Sequence, residues 1–154
     1  METSQDKIRS LWVPLRGMNL LLPNMAVTEI SSYRVPETQP DTPEWFLGTV
    51  KWRGEDIAVI SLEAVCGMNV PSNPVFSRLM IVNSVRADSP VQNYAIITAG
   101  LPGLIQFGHD TSDEFEDVEE AGLKCVIQIG NEEAVIPDLE YLQGLLEEQL
   151  VKAA

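Results

Sequence analysis

"PEWFLGTVKWRGEDIAVISLEAVCG", residues 43–67, is the stretch on which the fold turns. Two runs of β character, residues 45–52 and 57–62, flank the turn Trp52-Arg53-Gly54. Phe46, Val50 and Trp52 share one parity, while Lys51 and Arg53 fall on the other, as the two-residue period of a strand requires. The second run, Ile57-Ala58-Val59-Ile60, is apolar on both parities and reads as a strand buried on both sides. Gly54 can hold a positive φ without a Cβ clash, so the chain is expected to reverse over residues 53–56. Residues 62–65 suit a single helical turn, stopped at Gly67.

Moving outward, short apolar runs bounded by Gly, Pro and Asn dominate. Residues 11–15 and 18–22 flank Arg16-Gly17 and predict a second hairpin. Residues 25–33 fit strand or helix, with Val27 and Ile30 at helical spacing. Pro and Thr dominate residues 35–44, which read as a surface loop. After a connector at residues 71–74, strands are expected at 76–83, 94–99, 123–129 and 134–136, the last two meeting across Gly130-Asn131. The run HDTSDEFEDVEE, residues 109–120, reads as a solvated acidic face. The chain closes on an amphipathic helix over residues 138–150, with Asp138 as N-cap and a stripe of Leu139, Leu142, Leu145, Leu146 and Leu150.

The 154 residues suit one compact domain or two small subdomains sharing a core, and 45% hydrophobic content is ordinary for a globular protein. Ten Lys and Arg against 23 Asp and Glu leave a net charge of -13. Such a surface repels phosphate backbones and anionic headgroups, which argues against nucleic acid and membrane partners. The first residues lack the apolar core of a secretory signal, and no run approaches the ~20 apolar residues that span a bilayer. A cytoplasmic protein is expected.

Catalytic motifs are missing from the sequence: it contains no GxGxxG, Walker loop, HExxH or GxSxG. One histidine, His109, and two dispersed cysteines, Cys66 and Cys125, are too few for a zinc site of the usual His and Cys ligands. Cofactors and metals are therefore not expected. A Cys-His pair built from His109 and either cysteine would make the chain a small thiol hydrolase. The apolar settings of both cysteines, however, raise a thiol pKa and suit reduced structural thiols.

The order of residues in the opening stretch, Pro43 and Trp45 ahead of Gly48, Val50, Trp52-Arg53-Gly54 and the Ile-x-Val-Ile-x-Leu run ending at Leu62, resembles the signature of the CheW-like domain. Three further segments agree in order: residues 11–30, closing on Val27-Thr28-Glu29-Ile30; residues 94–100; and CVIQIGNEEAVIPDLEYLQGLL, residues 125–146. The resemblance implies a mainly β fold of two intertwined SH3-like β-barrel subdomains with a C-terminal amphipathic helix. It places a single domain at residues 8–150, between short termini at 1–7 and 151–154. It also implies a non-enzymatic adaptor in bacterial chemotaxis. Such proteins hold the regulatory domain of a histidine kinase and the cytoplasmic tip of a methyl-accepting chemoreceptor together in a membrane-associated array.

Carried over by position, Arg53 and Gly54 match the Arg-Gly of the family's Asn-Leu-Arg-Gly turn, and Val27 and Glu29 match positions of partner contact. Trp52 stands beside them, read from parity as core packing and included among the partner-binding residues. The chain departs from the family at Lys51-Trp52, at Ser61-Leu62-Glu63 and at Ile97-Thr98-Ala99-Gly100. Those departures point to an auxiliary paralogue, such as the second adaptor of type IV pilus and twitching-motility systems. A module that binds the kinase without a receptor is the alternative within the family.

Overall fold

The computed structural model describes residues 7–68, 76–108, 114–118, 121–129 and 131–153. The opening stretch is a hairpin of strands β4 (Phe46–Trp52) and β5 (Glu55–Ile60), with Trp52 opposite Glu55. Only Arg53 and Gly54 lie between them, at φ 50° and 82°. A two-residue turn with both residues left-handed matches the twist of its strands, and it reverses the chain earlier than residues 53–56 suggested. A bulge between Phe46 and Gly48 overturns the simple parity of β4. Phe46 packs on one core while Val50 and Trp52 belong to another, because the extra residue flips every side chain beyond it. Gly48 is required there. Its φ is 139°, and an added Cβ would lie 2.4 Å from the carbonyl oxygen of Glu37, whose backbone bonds to Thr49.

Strands β1 (Lys7–Leu15) and β2 (Met18–Pro23) form the first hairpin, and β3 (Val27–Ser32) follows a short 3-10 turn. Residues 25–33 thus resolve as turn, then strand. After β5 come one helical turn, α1 (Leu62–Val65), then β6 (Arg78–Asn83) and β7 (Asn93–Ile97). The chain continues through β8 (Gly103–Gly108), β9 (Glu114–Asp117), β10 (Leu123–Ile129), β11 (Glu132–Pro137) and helix α2 (Leu139–Ala153).

Two sheets result, one of order β3-β6-β7-β5-β4 and the other β8-β1-β2-β11-β10-β9. The chain begins in the second, leaves it to build the first, and returns, with β2 and β11 joined in parallel. The barrel-like subdomains are therefore intertwined, and the mainly β expectation holds.

Alternation within strands sorts the core. Leu79, Ile81, Ala95 and Ile97 line the interior of the first subdomain, while Leu21, Ile127 and Ala134 line that of the second. Residues of opposite parity, among them Leu20, Leu22, Met80, Val82, Tyr94 and Ile96, form the core shared between them. Ile57 and Val59 face one side of β5 and Ile60 the other, so that strand is covered on both faces as its sequence indicated.

Asp138 caps α2, its Oδ1 accepting from the Tyr141 amide at 3.1 Å. Leu142 and Leu146 are buried in the shared core and Leu139 and Leu145 pack against it. Leu150 departs from the expected stripe and is 49% exposed. Strands β8 and β9 were not foreseen. Within the acidic run, Glu114–Asp117 pairs with β10 as an edge strand, with Asp117 opposite Cys125, while the Glu116 and Asp117 side chains stay exposed. His109, the connector at 71–74 and Gly130 lie outside the described residues.

Candidate functional site

Strands β3 and β4 are the two outer strands of the five-stranded sheet, yet their side chains meet. The Trp52 indole Nε1–H donates to Glu29 Oε1 at 3.2 Å. Arg53 Nη2 donates to the same oxygen at 3.4 Å. The Arg53 guanidinium also lies over the Trp52 ring, 4.5 Å from its centroid, a cation–π distance. Sheet curvature brings these residues together, assisted by the Arg34 guanidinium, which donates to the Lys51 carbonyl.

Three of the five candidate positions thus form one contact group. Arg53 is 64% exposed and Glu29 39%, so Glu29 is half-buried. Trp52 is half-buried, its ring against the interior of the first subdomain and its N–H at the rim. Gly54 contributes backbone conformation only, since nothing lies within 4 Å of a Cβ built there.

Val27 is set apart from this group. A register shift between Val27 and Glu29 leaves Val27 half-buried against the shared core. On the Thr28 side, the Thr28 hydroxyl donates to Asn83 Oδ1, and Asn83 Nδ2 donates to the Met25 carbonyl at 3.1 Å. Met25 itself is 88% exposed. Nothing in its local sequence, a methionine after Pro-Asn, distinguishes it from a core residue.

Two buried polar groups also escaped the sequence. Glu63 is 1% exposed, its carboxylate accepting from the Arg16 amide at 2.9 Å and the Ser61 hydroxyl at 3.2 Å. It ties the β1–β2 turn to α1, and hence one subdomain to the other. Gln143 is fully buried, donating to Ser89 Oγ and to the Val91 carbonyl, each at 2.7 Å, and accepting from the Val85 amide. One turn on, Glu147 accepts from Ser89 and pairs with Arg86, and these partners hold its carboxyl below the usual range.

Thiol chemistry finds little support. Cys66 and Cys125 are both thiols, and burial, followed by the Asp117 charge, pushes the Cys125 thiol upward, away from the nucleophilic thiolate. Among the described residues no group of three or more His, Cys, Asp or Glu is placed to hold a metal ion. No described helix is long and apolar enough to cross a membrane.

The CheW-like domain matches residues 9–145, which takes in both sheets and the start of α2. The crystal structure of the scaffolding protein TtCheW from Thermoanaerobacter tengcongensis superimposes with a TM-score of 0.71 over 86% of this chain and 89% of that one. At 20% sequence identity that likeness speaks to the fold. No curated protein matches the chain in sequence. The family match runs through both barrel-like sheets and through the Trp52-Arg53-Gly54 turn, and the chain belongs to the CheW-like domain family.

Proposed function

We propose that the chain is a non-enzymatic scaffold adaptor that couples a chemoreceptor to a histidine kinase in a bacterial chemosensory array. The observation that carries this reading is the family match over residues 9–145. The partners are the kinase regulatory domain and the cytoplasmic tip of the receptor, with the protein in the cytoplasm and recruited to membrane-associated arrays. The departures at Lys51-Trp52 and at residues 61–63 and 97–100 favour an auxiliary pathway, such as the one governing type IV pili and twitching motility.

Arg53, Glu29 and Trp52 form the polar face of the partner surface and Gly54 shapes the turn, while Val27, packed on the shared core at the start of β3, is a separate partner contact. Backbone geometry supports a role for Arg53. A left-handed conformation costs a residue other than Gly, Asn or Asp roughly 1–2 kcal/mol, so a turn selected only for folding would carry Asn-Gly. An Arg kept at φ 50° is local strain of the kind that marks functional positions. Individual contacts need only micromolar strength, because array assembly raises the local concentration of each partner.

Co-purification from cells tests the reading. Wild type should bring down a histidine kinase and a chemoreceptor, and R53E should lose at least one while remaining folded. Equal recovery of both by R53E would remove Arg53 from the interface.

A further inference from the structure

We propose that the Arg53 turn recognises a primary carboxamide, the side chain of an Asn or Gln on the partner, and that Trp52 is the positioning residue that sets this preference. The inference rests on the reading of this turn as a partner surface. Its starting point is how the three side chains divide their hydrogen-bonding capacity. Trp52 Nε1–H and Arg53 Nη2 both spend themselves on one carboxylate oxygen, Glu29 Oε1. Glu29 Oε2 meets no donor among the described residues, and a carboxylate oxygen can accept further bonds. Arg53 has five N–H donors, of which this contact uses one, and the side chain is 64% exposed.

The turn therefore offers an open acceptor, Glu29 Oε2, next to open donors on Arg53. A partner carboxylate could accept from Arg53 but would face Glu29 as a like charge. A partner Lys or Arg could donate to Glu29 but would face Arg53. A primary amide meets both needs without charge, because one N–H and the C=O point to the same edge. A trans backbone amide cannot do so, since its N–H and C=O point in opposite directions.

Trp52 holds the arrangement in place. A Leu at that position could pack on the subdomain interior but has no N–H to hold Glu29 Oε1. The carboxylate would then be free to swing away and leave Arg53 open to an anion. With the indole in place the ion pair stays closed, and the pair is read as a unit.

Titrating the full chain with small probes tests this, following the Arg53 side-chain Nε–H resonance by NMR. The probes are acetamide, N-methylacetamide and sodium acetate, with ionic strength held constant. In wild type, acetamide should bind tighter than acetate by on the order of three-fold, the scale of an exposed charge interaction, and tighter than N-methylacetamide. W52F keeps an aromatic ring under the guanidinium but removes the N–H, and its acetamide-to-acetate ratio should fall to about one, with the circular dichroism spectrum unchanged. E29Q, at a half-exposed position, should lose the discrimination against acetate and provides the same test should W52F fail to fold. Acetate binding wild type as tightly as acetamide, or N-methylacetamide matching acetamide, would overturn the proposal. Loss of partner recovery in R53E alongside either result would sink only the amide preference, whereas full recovery in R53E would sink the interface reading on which it depends.

Discussion

Substitutions at Arg53 separate backbone strain from side-chain contact, and the two have opposite signs. Arg53 sits at φ 50°, which costs about 1 kcal/mol relative to a residue at ease there. Its contacts offset this. The ion pair with Glu29 spans 3.4 Å between side chains 64% and 39% exposed, so it contributes at the lower end of ~0.2–1 kcal/mol. The stacking on Trp52 adds ~0.5–1 kcal/mol. R53A removes both contacts and keeps the strain, and should destabilise the fold by about 1 kcal/mol. R53G removes the contacts and the strain but enlarges the unfolded ensemble, by ~0.5–1 kcal/mol. R53N relieves part of the strain at less entropic cost, since Asn tolerates the left-handed region. The expected order of urea midpoints is wild type at or slightly above R53N, then R53G, with R53A lowest or level with R53G, and m unchanged throughout. All three variants should weaken partner recovery alike. An R53A midpoint equal to wild type, with R53G far below both, would refute the reasoning, because it would mean that neither strain nor contact operates at this turn.

Tyr94 is fully buried in the shared core, and its hydroxyl meets no hydrogen-bond partner among the described residues. Y94F should therefore raise stability, by about 1 kcal/mol in urea denaturation, and a loss of that size would show the hydroxyl to be satisfied. Burial also pushes the Tyr94 phenol well above its ordinary value. The neutral form is thus favoured by folding, its stabilising effect is complete below the ordinary phenol pKa, and stability falls as pH rises beyond it. Y94F should remove that part of the alkaline decline. Gly144 lies inside α2 with open space where a methyl group would project, so G144A should stabilise by ~0.5–1 kcal/mol in thermal denaturation. The Glu147 carboxyl is held low by Ser89 and Arg86, so its contribution is present above the ordinary carboxylate pKa and lost as pH falls through the lowered value. Hydrogen-exchange protection in α2 and residues 84–91, taken relative to intrinsic exchange at each pH, should fall over that acid range in wild type, and E147Q should flatten the response.

The fold was more legible in the sequence than the site was. Alternating Val, Ile and Leu, with Gly at the reversals, located most of the strands, and Asp138 with its leucines located α2, because these signals are local. The short strands β8 and β9 carry weak local signals: Gly103 and Gly108 bound the first, and three carboxylates occupy the second. Glu63 and Gln143 were illegible for a different reason. Each is a polar side chain buried by partners far along the chain, Arg16 for one and residues 84–91 for the other, and no local pattern reports such a partner.

The contact group failed to emerge from periodicity because it lies where periodicity breaks. Among the described residues, register shifts fall between Phe46 and Gly48, between Val27 and Glu29, and between Leu123 and Cys125. Two of the three are in the strands that carry Trp52 and Glu29. Strict alternation would put Val27 and Glu29 on one face of β3, and Phe46 and Trp52 on one face of β4. The bulges instead send Val27 and Phe46 to the shared core, while Trp52 packs on the first subdomain's interior with Glu29 at its rim. A bulge adds twist as well as shifting register, and added twist helps the outer strands β3 and β4 approach across the open side of the sheet. The same irregularities that hid the site from a two-residue period therefore help to assemble it. Restoring regular pairing, by a deletion that removes the β4 bulge, should separate Trp52 from Glu29 even if every side chain named here were kept.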